Sequence, residues 1–116
     1  KFARTSGFAR TDEALKANAV HARMIAKEHK CAMFYMSQLS ADAEGKVLLN
    51  QSMMEGSRTG KAAEADLMIL IAKNPPRQDE TEEDLQRHIN VVKNKLTGWH
   101  GVVHCNLNYQ VGRYEV

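Results

Sequence analysis

Leu67-Met-Ile-Leu-Ile-Ala72 is an unbroken apolar run, followed by Lys73 and stopped by Asn74-Pro-Pro76. Six residues are too few for a stable helix. Proline removes a backbone donor and fixes φ, so the double proline ends any ladder here. The run therefore predicts a strand over 67–72. A second run, Cys31-Ala-Met-Phe-Tyr-Met36, ends in Ser37-Gln38 and also lacks polar alternation. Such runs are most simply strands buried on both faces, as in a parallel sheet. Thr11 and Asp12 offer a cap and first-turn acid for a helix reaching about Lys30, with Leu15, Ala19, Ala22 and Ala26 on one stripe. A helix leading closely into an apolar strand predicts α/β layering.

The flanking segments complete this outline. Residues 1–11 read as an irregular lead-in. From Leu39 to about Ala65 the pattern dissolves into polar residues and glycine, interrupted by Val47-Leu-Leu49 and Met53-Met54. A connection of that length is usually functional or mobile. Asp79-Glu-Thr-Glu-Glu-Asp84 reads as a solvated acidic loop in which Thr81 to Asp84 could cap a short helix. The β-branched content of His88–Lys95 predicts a strand, Thr97-Gly98 a turn, Gly101–Asn106 a strand, and Arg113–Val116 a last one. The whole reads as one domain, residues 1–116.

Composition narrows the function classes. The chain has 116 residues, 43% of them hydrophobic, with 16 Lys+Arg against 14 Asp+Glu. That is enough apolar content for a core, and no run approaches the roughly 18–20 residues needed to span a bilayer. A net charge of +2 does not announce nucleic-acid binding. Two distant cysteines, Cys31 and Cys105, make no disulfide or zinc framework and fit a reducing compartment. Cys31, in an apolar run, reads as packing. No secretory signal opens the chain, and its first residue is Lys, which suggests trimming or a longer parent.

Two tempting motifs fail. Gly56-Ser-Arg-Thr-Gly-Lys61 has three residues between its glycines where a P-loop needs four. Ala62 stands where a Mg²⁺-binding hydroxyl belongs, and the motif precedes a strand instead of following one. His100 and His104 on a straight strand would sit about 13 Å apart, too far to share one Zn²⁺. His88 and Cys105 do not complete a metal-ligand spacing, and His21 and His29 read as solvated. Neither cysteine has a local base that would make it a nucleophile.

Three segments in order carry a resemblance. They are the run ending in Ser37-Gln38-Leu39; Met54-Glu-Gly-Ser-Arg-Thr-Gly-Lys-Ala-Ala-Glu-Ala-Asp66 leading into the next apolar strand; and Ile89-Asn-Val-Val-Lys-Asn-Lys-Leu-Thr-Gly98 leading into a hairpin. Over residues 13–116 the chain resembles the C-terminal half of the RecA-like motor domain of DnaB-type replicative helicases and phage primase-helicases. The resemblance implies an α/β fold, a partial RecA-like core. It also implies that Gln38 senses the γ-phosphate of ATP, since an amide can bond a phosphate oxygen or attacking water. The 39–61 segment matches the loop that lines a ring's channel. Lys46, Gly56, Ser57, Arg58, Gly60 and Lys61 would there track single-stranded DNA through amides, a hydroxyl and cations.

Lys93 and Lys95 match the basic pair reaching into a neighbour's ATP site, and strand alternation would put both on one face. Where the family usually has an arginine this chain has Lys95, which supplies charge without the bidentate fork. Likewise Glu55 takes a position that is basic in many members, with the positive charge moved to Arg58.

The family's Walker A loop and Walker B acid would lie upstream of Lys1. ATP and Mg²⁺ are therefore expected in the complete motor, with the Mg²⁺ ligands outside this chain, and the chain alone is predicted inactive. The expected partners are single-stranded DNA and either a homo-oligomeric ring or a polypeptide supplying the P-loop half. The expected place is the cytoplasm, that of the bacterial host if phage-encoded, with no membrane association. The alternatives are a RecA-type recombinase core and a non-catalytic nucleic-acid-binding or interaction module.

Overall fold

A computed structural model describes residues 11–54, 64–79 and 81–116. Helix α1 spans Thr11–Glu28, close to the predicted limits. It ends where Cys31 N–H donates back to the Ala26 carbonyl and Lys30 adopts a positive φ of 50°, a left-handed closing turn. Four strands follow: β1 Leu67–Lys73, β2 Gln86–Asn94, β3 Gly101–Asn108 and β4 Arg113–Glu115. They pair antiparallel in the order β1-β2-β3-β4. The hairpin between β2 and β3 turns at Lys95–Thr97, where Asn94 Oδ1 accepts the Leu96 and Thr97 amides and Gly98 takes φ 77°.

The predicted strand at 31–36 does not form. Cys31, Met33, Phe34 and Met36 are exposed, Phe34 at 88%, so Cys31 is not a packing residue. A strand needs a neighbour for its amides and carbonyls. Among the described residues none forms a ladder with 31–36. The run over 67–72 is a strand, but it is buried on one face only and lies at an edge of an antiparallel sheet. Met68, Leu70 and Ala72 are buried, while Leu67, Ile69 and Ile71 are exposed. No helix forms at 81–84.

The segment predicted as a featureless loop supplies the other half of the core. Leu39 bridges Met54, and two single-turn 3₁₀ helices, Ala41–Ala43 and Gln51–Met53, lie between them. This closure buries Ala43, Leu49, Met53 and Met54 against Met68, Leu70 and Ala72, with Val92 at the margin. At about 25 cal/mol per Å² of apolar area, a few such side chains hold the 39–54 layer on the sheet.

Candidate functional site

Strand β2 organises the site. Its mid-strand Asn90 is 2% exposed. Alternation puts residues 88, 90 and 92 on the core face, so a carboxamide there must find partners. Oδ1 accepts the Leu49 amide at 2.9 Å. Nδ2 donates to the carbonyl of Val47 at 3.1 Å and to those of His88 and Leu70 at 3.2 and 3.5 Å. Two residues on, the Val92 carbonyl accepts from Gln51 Nε2 at 2.9 Å. One stretch of β2 thus clasps the 47–51 backbone. An open cleft of about 500 Å³ lies alongside, lined by Asn50, Gln51, Ser52, Val92, His100 and Gly101 among others.

Further along β2 the register shifts between Met68 and Ile69, so that Lys93 pairs with Met68 and Val91 with Ile69. The bulge leaves Val92 extra and re-aims the residues after it. Lys93 is half-buried at the end of the strand, and Lys95 is exposed in the turn. Both act electrostatically on Asp66, whose backbone carbonyl accepts the Lys95 amide at 2.8 Å. Arg23 of α1 donates to Asp66 Oδ1 and to the Glu64 carbonyl, both at 2.9 Å. The Arg23 hydrogen bond, with the charges of Arg23, Lys95 and Lys93, holds the Asp66 carboxyl below its ordinary 3.8. Burial, then the nearby charge of Lys95, pushes the Lys93 ammonium below its ordinary 10.5, partly offset by Asp66. Two lysines and an arginine around Asp66 and Glu64 leave a local excess of positive charge suited to an anion.

The structure brings Lys93 and Lys95 together, but around Asp66 and across a strand end, not on one regular face. Gln38 is exposed, just before the Leu39–Met54 bridge, with its carbonyl accepting from Ser37 Oγ at 3.4 Å. Lys46 is exposed after the first 3₁₀ turn. Gly56, Ser57, Arg58, Gly60 and Lys61 lie outside the described residues. Sequence reasoning passes over Asn90 and the His88–His104 pair. A lone Asn inside Ile89-Asn-Val-Val92 on the core face is the available signal for the first. Centring the hairpin on Leu96 pairs His88 with His104, as the register does.

No family model matches the chain, and no curated protein matches it. Among solved structures the chain is similar to the ATPase domain of a DnaB-type helicase. That likeness has a TM-score of 0.78 at 16% identity and covers 97% of this chain. The chain spans about 40% of the length of that neighbour. At such an identity the likeness speaks for fold alone: helix α1, the 39–54 layer and the four-stranded sheet are part of a RecA-like ATPase-domain fold.

Proposed function

We propose that this chain is the C-terminal part of an ATP-dependent DNA helicase motor. In this reading the loop from residue 39 to 61 contacts single-stranded DNA through Lys46, Gly56, Ser57, Arg58, Gly60 and Lys61. Gln38 senses the γ-phosphate at the loop's entry. Lys93 and Lys95 reach the nucleotide of a neighbouring subunit in a ring.

The observation that carries it is the clasp. A single strand, β2, holds the 47–51 backbone through Asn90 and the Val92 carbonyl, and bears Lys93 at its end. A displacement of the lysines by a phosphate is thereby tied to the loop through a rigid element. Lys93 and Lys95, with their excess positive charge, suit one edge of a triphosphate. When bound, ATP with Mg²⁺ would supply the phosphoryl chemistry, and the Mg²⁺ ligands belong to the part this chain does not include. The exposed apolar surface agrees with such a part: Leu67, Ile69 and Ile71 on an edge strand, and Phe34 and Met36 ahead of the 39–54 layer, are what a packed neighbour would cover.

Fluorescence anisotropy with labelled oligo-dT tests the DNA assignment. Binding should weaken with salt, survive Lys93→Ala with Lys95→Ala, and fall at least about 10-fold with Arg58→Ala and Lys61→Ala, since each lost phosphate contact lowers affinity. Equal loss in both double variants would contradict the assignment of the loop.

A further inference from the structure

The hydrogen bonds around His88 fix its protons without ambiguity. The Gln86 amide donates to Asp84 Oδ1 at 2.9 Å, and Asp84 Oδ2 accepts from Asn74 Nδ2 at 2.7 Å. These two contacts, Asn74 first, hold the Asp84 carboxyl below its ordinary 3.8, so it is an anion and can only accept. Asn74 must therefore turn Nδ2 towards Asp84 and Oδ1 towards His88 Nε2, 2.7 Å away. That oxygen can only accept, so His88 carries its hydrogen on Nε2. A neutral imidazole then has a bare Nδ1. His88 Nδ1 lies 2.7 Å from His104 Nδ1, so His104 donates there. The two rings meet edge to face, with centroids 4.9 Å apart. His88 is buried and His104 exposed.

One added proton leaves this chain of contacts intact, because it can settle on the outer Nε2 of His104 while His104 Nδ1–H still donates inward. A second proton cannot be placed. It would set two N–H groups against each other at the 2.7 Å contact, in two adjacent cations. Nothing else described at the site absorbs that charge. From β1, His88 faces Ala72. From β3 it faces His104, and the Cys105 thiol beyond donates to the Arg87 carbonyl. Arg87 turns away to the carbonyls of Asp84 and Gln86 and to Glu83. The Asp84 carboxylate, which Arg77 also acts on, reaches His88 only through Asn74.

We propose that the His88–His104 pair is a proton-operated latch on the connection between β1 and β2. Closed, it holds Asn74, and through it Asp84 and Gln86, against the end of the β2–β3 hairpin. The second proton opens it and frees residues 74–85 while the sheet centre stays paired. Three elements meet at this one run of side chains, so a local charge change has a segment to act on.

Two measurements on the full chain test this. Nitrogen-15 spectra of the rings should show His88 as the Nε2–H tautomer and His104 as Nδ1–H at neutral pH. On acidification His104 should gain its proton first. Amide exchange, corrected for intrinsic rates, should then quicken across 74–88 by up to about tenfold per pH unit, the slope of a state that binds one more proton. The amides of Leu70 and Val91 should stay protected. His104→Phe keeps a ring against His88 but removes the opposing N–H, and should flatten that slope. A His88 ring that protonates at Nδ1 with 74–88 still protected would overturn the latch. So would a tenfold slope that persists in His104→Phe.

Discussion

Replacing Asn90 by Leu tests the clasp most sharply. The side chains have similar volume, so the change removes hydrogen bonds with little cavity. Three of the four contacts have good lengths: 2.9 Å from the Leu49 amide, 3.1 Å to the Val47 carbonyl and 3.2 Å to the His88 carbonyl. The fourth, 3.5 Å to the Leu70 carbonyl, contributes little. The Leu49 amide is the group that matters. It sits in a buried contact and loses its acceptor, and a buried unpaired donor costs about 1–3 kcal/mol. The Val47 carbonyl is only partly buried and can take water, so it adds about 0.5–1 kcal/mol. The sum is roughly 2–4 kcal/mol, a large share of a small domain's stability. Urea unfolding gives the total, and amide exchange at Leu49 locates it. The expected result is a midpoint shift of that size with Leu49 deprotected by at least about 30-fold, a 2 kcal/mol local opening. A loss under about 0.5 kcal/mol with Leu49 still protected would refute the reasoning, because a surface substitution costs no more.

Three further outcomes follow from particular contacts. A Cβ at Gly101 would lie 2.5 Å from Cζ2 of Trp99, so Gly101→Ala must push the indole aside; the emission of this single tryptophan should shift while circular dichroism is kept. Asp66 has a folded pKa depressed below its ordinary 3.8 by Arg23, so its contribution is present above 3.8 and is lost as pH falls through the lower folded value. Stability measured from pH 5 downward should therefore fall more steeply in the wild type than in Asp66→Asn, and parallel curves would contradict the tie between α1 and β1. Ile69→Glu and Ile71→Lys lie on the exposed face of β1 and should lower binding of an apolar dye while changing chain stability by no more than about 0.5 kcal/mol; unchanged dye binding would place the apolar surface elsewhere.

What the sequence discloses, and what it hides, follow from the range of the interactions. Strands β1 to β4 are legible because their signals are local: an apolar run stopped by Asn74-Pro-Pro76, β-branched residues over 88–92, a Thr97-Gly98 turn. The 31–36 run misleads because apolar character decides where a segment prefers to be, while a strand also requires a neighbour for its backbone. The 39–54 layer escapes notice for the opposite reason. Ala43, Leu49, Met53 and Met54 follow no period, so nothing local marks them as core, yet closure through Leu39 and Met54 buries all four. Lys93 and Lys95 can be named from sequence, but their gathering around Asp66 depends on a bulge and on Arg23, both set by tertiary pairing. The His88–His104 contact likewise depends on hairpin register, which a sequence pattern constrains without stating.

The central claim is that Lys93 and Lys95 act on a neighbour's nucleotide while the loop held on the same strand grips DNA. The direct measurement is DNA-stimulated ATP hydrolysis by the complete assembly carrying this chain, wild type against Lys93→Ala with Lys95→Ala, with nucleotide binding measured alongside. The account predicts hydrolysis reduced at least about 100-fold, in the manner of a lost charge-stabilising residue, with nucleotide still bound and the 39–54 layer still protected from exchange. Hydrolysis at the wild-type rate in that double variant would contradict it.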